Sequence, residues 1–160
     1  MKGPLFYSKI LLFGEYGIIE DSKGLSIPYN FFNGALKIAE KSTLESKKSN
    51  NVLADFCLYL KNIDELDLDL TSFEKHINQG LYFDSSIPKG YGVGSSGALV
   101  AAIYDKYSNN KITVLENLTR EKLLVLKSIF SKMESFFHGK SSGLDPLNSY
   151  LSIPILIKSK

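Results

Sequence analysis

The chain has 160 residues, of which 44% are apolar, so it can bury one core of ordinary size. Nineteen basic residues oppose seventeen acidic ones, and eighteen of the nineteen are lysine, which disfavours a nucleic acid as the main partner. No run reaches the roughly 18 to 20 consecutive apolar residues that span a bilayer, so we expect no membrane partner, and we expect no signal peptide. A single cysteine cannot form an internal disulfide, which makes a reducing, cytoplasmic location the default expectation.

The N-terminal third has the pattern of a small meandering sheet. Residues 5–13 form an apolar, strand-like run, and residues 34–42 alternate well enough for a second strand. Lys9 lies inside the first run, where a lysine must point out of the core or meet an acid, and Glu15 is a candidate partner. The Lys9 ammonium would suit a site that binds anions.

A helix is predicted next. Asn51 can cap it, and its apolar side chains recur at helical spacing, at Val52, Phe56, Tyr59 and Ile63. Cys57 lies inside this segment. We interpret it as a small buried hydrophobe rather than a nucleophile, because no histidine lies nearby in sequence.

A glycine-rich loop, residues 89–97, is the most informative segment of the chain. It follows a strand-like run that Pro88 ends, and it opens directly into an apolar helical run. Such a loop exposes backbone N–H groups at a helix N-terminus, where an anion of phosphate type fits. The hydroxyls of Ser95 and Ser96 can contact a phosphate or Mg²⁺. A plain tight turn is the alternative.

This loop does not match the P-loop pattern, because no Gly-Lys-Ser/Thr follows its glycines. It does match the dinucleotide fingerprint G-x-G-x-x-G, at Gly92, Gly94 and Gly97, which leaves an NAD-type interpretation open. That fingerprint expects an acid about 20 residues further on, at the end of a second strand, and residues 111–114 offer none.

The C-terminal third contains two predicted helices. The first begins after Thr119, whose hydroxyl can cap it, and ends at Gly139. The second begins at Asp145 and Pro146, with the aspartate as cap and the proline at the first helical position. Residues 153–157 form a final short strand.

Two acids of this region, Glu134 and Asp145, could meet at one cleft. A glutamate, a serine hydroxyl and nucleotide phosphates would make a plausible Mg²⁺ shell. The residues are equally consistent with a solvated helix edge for Glu134 and a capping role alone for Asp145. From the residues alone, His138 is interpreted as a partner of the helix dipole or a structural hydrogen-bonding group.

Three motifs occur in a fixed order: Lys-Ile-Leu-Leu-Phe-Gly-Glu-Tyr at residues 9–16, Pro-Lys-Gly-Tyr-Gly-Val-Gly-Ser-Ser-Gly-Ala at 88–98, and Glu-x-x-x-His-Gly-x-x-Ser-Gly-x-Asp at 134–145. Together they resemble the GHMP kinases, and within them the mevalonate kinases. The second motif resembles that family's Pro-x-Gly-x-Gly-Leu-Gly-Ser-Ser-Ala-Ala phosphate loop. The resemblance covers nearly the whole chain.

The resemblance implies an ATP-dependent enzyme that phosphorylates the hydroxyl of a small metabolite, with mevalonate, a precursor in isoprenoid biosynthesis, as the leading substrate. Its implied cofactors are ATP and Mg²⁺. The residues implied to bind the ATP phosphates are Gly90, Gly92, Gly94, Ser95, Ser96, Gly97 and Ala98.

The resemblance also implies roles for the residues nearest the chemistry. Ser96 and Glu134 would hold Mg²⁺, and Asp145 would take the proton of the substrate hydroxyl. Lys9 would lower the pKa of that hydroxyl or neutralise developing charge. Glu15 and His138 would contact the substrate.

The expected fold is α+β, a GHMP-kinase N-terminal domain of the ribosomal protein S5 domain 2-like type, with a mixed or antiparallel sheet packed on one side by helices. Residues 1–160 are expected to form this ATP-binding domain. GHMP kinases are roughly twice as long, and we find no counterpart in this chain of the third glycine-rich motif of their C-terminal domain.

Four positions depart from the usual pattern. Val93, Gly97, Ser141 and Pro146 replace the family's usual Leu, Ala, Pro and Asn. The phosphate-binding chemistry survives these changes. They leave two alternatives to mevalonate: a kinase for another alcohol, such as homoserine or a sugar, and a non-catalytic nucleotide-binding module. A homodimer is also left open.

Overall fold

The computed structural model describes residues 4–13, 24–113 and 118–157. Within these ranges the chain forms four strands and five helices. In chain order they are β1 (Phe6–Phe13), β2 (Gly24–Ile38), α1 (Leu44–Leu60), α2 (Leu70–Asn78), β3 (Leu81–Ser85), α3 (Ser95–Tyr107), α4 (Arg120–His138), α5 (Leu144–Leu151) and β4 (Ile155–Ile157).

The long strand β2 organises the sheet, because every other described strand pairs with it in antiparallel fashion. Leu25 pairs with Phe13 of β1 and with Leu156 of β4, so β1 and β4 lie on opposite edges of β2. Strand β3 pairs with the far end of β2, from Gly34 to Ile38. Helices pack against this antiparallel sheet, which confirms the predicted α+β fold class.

Helix α3 lies at the centre of the core. Residues from Gly97 to Tyr104 are all buried, because this stretch is small or apolar on every face of the helix except for the tyrosine hydroxyl. That hydroxyl accepts a hydrogen bond from the Ile112 amide at 3.0 Å. The helix packs against α4, α5, β1 and β2, so the core fixes the position of its N-terminus, where the glycine-rich loop ends.

Helix α4 has the ends that the sequence predicts. The Thr119 hydroxyl accepts a hydrogen bond from the Lys122 amide, and Gly139 ends the helix with φ of 69°. The buried stripe of the helix consists of Leu126, Phe130, Met133 and Glu134.

The predicted start of the first helix is wrong. Helix α1 begins seven residues before Asn51, which lies inside it, and the cap is Thr43. The Thr43 hydroxyl accepts from the Ser46 amide at 3.1 Å, and the Ser46 hydroxyl accepts from the Thr43 amide at 2.9 Å. A serine in the place of the usual Glu or Gln of a capping box hides this signal in the sequence.

The start of α5 also differs from the prediction. Gly143, with φ of 73°, stands at the N-cap position, so Asp145 lies in the first turn of the helix instead of capping it. A carboxylate in a first turn is still favoured by the helix dipole. The free carboxylate can therefore turn towards other groups. Helix α2 was not predicted from the sequence. No described helix is long and apolar enough to cross a membrane.

Candidate active site

The glycine-rich loop connects the end of β3 to the start of α3, as the sequence predicts. Gly90, Gly92 and Gly94 have φ of 84°, 67° and 81°, a conformation that side chains with a Cβ rarely adopt. Gly94 is the N-cap of α3 and has no side chain to cap it, so the first-turn amides of residues 95–97 stay available to an anion.

The loop is fixed to strand β1 at one point. The Lys9 amide donates a hydrogen bond to the Val93 carbonyl at 3.0 Å. A Cβ added at Gly94 would lie 3.0 Å from Cγ of Lys9, so the lysine side chain runs close along the loop backbone. The structure thus places the Lys9 side chain beside the predicted phosphate site.

Ser96 joins the loop to helix α4. Its Oγ lies 3.1 Å from Oε1 of Glu134, to which it donates, and 3.0 Å from Nε2 of His138. Glu134 and His138 are four residues apart on one face of α4, so a single hydroxyl can reach both. The structure therefore brings together the three side chains that the sequence singled out at this point.

Glu134 is only 3% exposed, which is unusual for a carboxylate. Burial raises the pKa of Glu134, and the nearby negative charge of Asp145 raises it further, while hydrogen bonds from Ser141 and Ser96 oppose both effects. The Ser141 hydroxyl donates to Oε2 of Glu134. Both carboxylate oxygens thus have a hydroxyl partner.

A second pair of predicted residues meets beside the loop. Nζ of Lys9 lies 3.0 Å from Oδ1 of Asp145, and the lysine side chain is only 11% exposed against 36% for the aspartate. The residues alone indicated that Lys9 would need an acid and named Glu15 as a candidate, whereas the family resemblance implied that Lys9 and Asp145 meet beside the substrate hydroxyl. The described acid is Asp145, and Glu15 lies outside the described residues, as do Gly14 and Tyr16 of the first motif.

Gly97 lies where the Ser96–Glu134 pair and the Lys9–Asp145 pair come together in one site. A Cβ added there would lie 2.7 Å from the carbonyl carbon of Asp145 and 2.8 Å from the nitrogen of Pro146. Any larger residue would push the N-termini of α3 and α5 apart. Because both helices begin here, two positive dipole ends converge on one region, which favours an anionic ligand.

The family comparison agrees with this geometry. Residues 51–152, more than half of the chain, match the family model described as the GHMP kinases N terminal domain. The chain belongs to the GHMP kinase family. No curated protein sequence matches it.

A solved structure supports the same fold for this GHMP kinase domain. The chain is similar to one titled "Crystal structure of mevalonate kinase", with a TM-score of 0.55 at 19% sequence identity. The match covers 96% of this chain and 52% of that chain. The chain therefore spans about half the length of this relative.

Sequence reasoning missed one residue of the site, Ser141. In the sequence, Ser141 was noted only as a replacement for the family's usual proline. The sequence signal was weak, since a serine between Gly139 and Gly143 is ordinary turn composition. Only the path of the loop back over α4 shows that its hydroxyl reaches Glu134.

Proposed function

We propose that this chain is the ATP-binding N-terminal domain of a small-molecule kinase that transfers the γ-phosphoryl group of ATP to an alcohol, with mevalonate as the leading substrate. The observation that carries the proposal is the Lys9–Asp145 ion pair, formed by residues from opposite ends of the chain directly beside the glycine-rich loop. The C-terminal domain of such an enzyme would lie outside this chain.

The loop supplies the nucleotide part of the site. In this proposal the amides at the start of α3 bind the ATP phosphates, assisted by the hydroxyls of Ser95 and Ser96. Phosphoryl transfer needs mostly positioning and charge compensation, and the amides at the start of the buried helix α3 would provide both.

The donor set fits a Mg²⁺ ion that arrives with the nucleotide. Among the described residues no group of three or more His, Cys, Asp or Glu side chains could hold a metal. Mg²⁺ in kinases, however, is bound by one or two protein oxygens together with phosphates and waters. Ser96 Oγ and Glu134 Oε1, 3.1 Å apart, would supply these oxygens. When bound, the ion would neutralise negative charge on the phosphates.

The Lys9–Asp145 pair supplies the acid–base part. As the substrate hydroxyl oxygen forms its bond to the γ-phosphorus, its proton passes to the Asp145 carboxylate, and the bond from the γ-phosphorus to the ADP oxygen breaks. The Lys9 ammonium stabilises negative charge on the reacting oxygens. We propose His138 and Glu15 as substrate contacts.

The support for mevalonate is the fold similarity to the mevalonate kinase structure together with the motif resemblance. The test is a panel assay on the full-length protein, in which ADP formation is measured with ATP, Mg²⁺ and mevalonate, homoserine or a hexose. We expect turnover with mevalonate, loss of turnover with excess EDTA, and a new phosphate monoester by phosphorus NMR.

Each other result of this assay has a distinct meaning. Turnover with homoserine or the hexose but not mevalonate would keep the kinase and replace the substrate. ATP binding without turnover of any alcohol would contradict the kinase proposal and support a non-catalytic nucleotide-binding module.

A further inference from the structure

The hydroxyl of Ser141 connects Glu134, the proposed metal ligand, to the loop that follows α4. It donates to Oε2 of Glu134 and accepts a hydrogen bond from the Gly143 amide at 3.0 Å. The Ser141 carbonyl in turn accepts from the Ser131 hydroxyl at 2.6 Å, one turn before Glu134 on the same helix. Three hydrogen bonds therefore fix the position of this one residue.

Together with Ser96, Ser141 fixes the orientation of the Glu134 carboxylate. Ser96 bonds to Oε1 and Ser141 bonds to Oε2, so a rotation of the carboxylate would break both contacts. Because Glu134 is 3% exposed, little water is available to replace either partner. Oε1 of Glu134 is thereby held next to Ser96 Oγ, where one ion could bind both oxygens.

Ser141 is one of the four positions at which this chain departs from the usual family motif. The related kinases usually have proline at the equivalent of Ser141, and proline has no side-chain donor. The replacement gives the buried acid a hydrogen-bond partner that the usual family pattern does not provide.

We infer that Ser141 is a positioning residue for magnesium binding: its hydroxyl holds Oε2 of Glu134, so that Oε1 and Ser96 Oγ together face the metal. This inference rests on the proposed function of Ser96 and Glu134. Groups that orient a metal ligand through a hydrogen bond typically contribute about 10- to 100-fold in metal affinity. Ser141 should therefore act on the affinity for the metal–nucleotide complex and not on the affinity for the nucleotide alone.

The test compares ATP binding to the full-length protein with and without Mg²⁺ by isothermal titration calorimetry, the metal-free titration being made in EDTA. The ratio of the two dissociation constants gives the metal-dependent gain in affinity. In Ser141→Ala we expect this gain to fall by about 10-fold or more, with the metal-free affinity unchanged. Ser141→Thr, which keeps the hydroxyl, should restore the gain.

Two matched variants separate orientation of Glu134 from support of the loop. Ser142→Ala makes the same chemical change one residue along, where the hydroxyl makes only a long contact of 3.4 Å to the Leu144 amide. Ser131→Ala removes the bond that anchors the Ser141 carbonyl and leaves the Ser141 hydroxyl in place. We expect both variants to keep the wild-type gain.

The outcomes are distinguishable. A wild-type gain in Ser141→Ala would overturn the inference, and an equal loss in Ser131→Ala would show that Ser141 supports the loop only. If the alanine variant does not fold by circular dichroism, Ser141→Cys, with the same size and a weaker donor, should show a reduced gain, and an unreduced gain would overturn the inference. Absence of any metal-dependent gain in the wild type would overturn the proposed function itself.

Discussion

Lys9 shows how a single side chain can mark a site. A lysine in an apolar strand is costly to bury unless an acid accompanies it, so its presence at residue 9 predicts a partner. The partner is Asp145, and the pair lies against the backbone of the glycine-rich loop. Removal of either residue would leave the charge of the other half-buried and without its partner, so the effects of substituting Lys9 and Asp145 are coupled.

Cys57, unlike Lys9, has no role in the proposed site. It lies on the buried face of α1 and is only 3% exposed, and burial raises the pKa of its thiol. We expect the native protein to react slowly with Ellman's reagent at neutral pH and at full rate in denaturant, because the thiolate is the reacting form. Rapid reaction of the native protein would contradict the buried position of Cys57.

Among the elements, the contact between α3 and α5 decides whether the Ser96–Glu134 pair and the Lys9–Asp145 pair share one site. The contact is made by the backbone on both sides, Gly97 facing the peptide between Asp145 and Pro146. Gly97 and Pro146 are also two of the departures from the usual family pattern. The structure thus shows that these two departures touch, which no inspection of separate motifs indicates.

Gly97→Ala sets two effects against each other. Alanine favours a helix by about 1 kcal/mol over glycine, whereas forcing a methyl group into a packed contact typically costs about 1–3 kcal/mol. Because the added Cβ would meet backbone atoms at 2.7 and 2.8 Å, we expect the cost to prevail and the urea unfolding midpoint to fall.

Gly92→Ala is the matched control for this prediction. A Cβ at Gly92 would meet no atom within 4 Å but would occupy a positive φ of 67°, so its cost reports backbone strain without crowding. An unfolding midpoint of Gly97→Ala above that of the wild type would contradict the close approach of α3 and α5.

The elements differ in how well the sequence predicts them, for local reasons. Helix α4 is predicted at both ends because Thr119 and Gly139 carry strong cap signals. The first half of α1 escapes prediction because its residues, from Leu44 to Asn50, are mostly polar and its capping box is unusual. Asp145 looks like a cap because proline follows it, yet Gly143 takes that position by adopting a left-handed conformation that the sequence does not specify.

For the whole molecule, the family resemblance predicted that Ser96 meets Glu134 and that Lys9 meets Asp145, and the structure shows both contacts. Ser96 and Glu134 were paired through the family motifs, and the fold places them 3.1 Å apart. The Ser141 contact could not be predicted, because it depends on how the loop after α4 folds back. Their roles in binding and catalysis stay predictions, since the family match and the mevalonate kinase similarity concern the fold.

The proposed mechanism depends on one step, in which Asp145 accepts the proton of a substrate alcohol during phosphoryl transfer from ATP. The most direct measurement is the single-turnover rate of transfer from radiolabelled ATP by rapid quench, in the full-length protein with its best alcohol from the panel. Asp145→Asn keeps the size of the side chain and removes the base. We expect the rate to fall by roughly 100-fold or more while the affinity for ATP changes little.

Asp84→Asn is the control, because it removes a carboxylate from another ion pair, with Lys37, on the exposed end of β3. We expect a near wild-type rate for Asp84→Asn and a strongly reduced rate for Asp145→Asn. Equal, near wild-type rates in both variants would contradict proton transfer to Asp145.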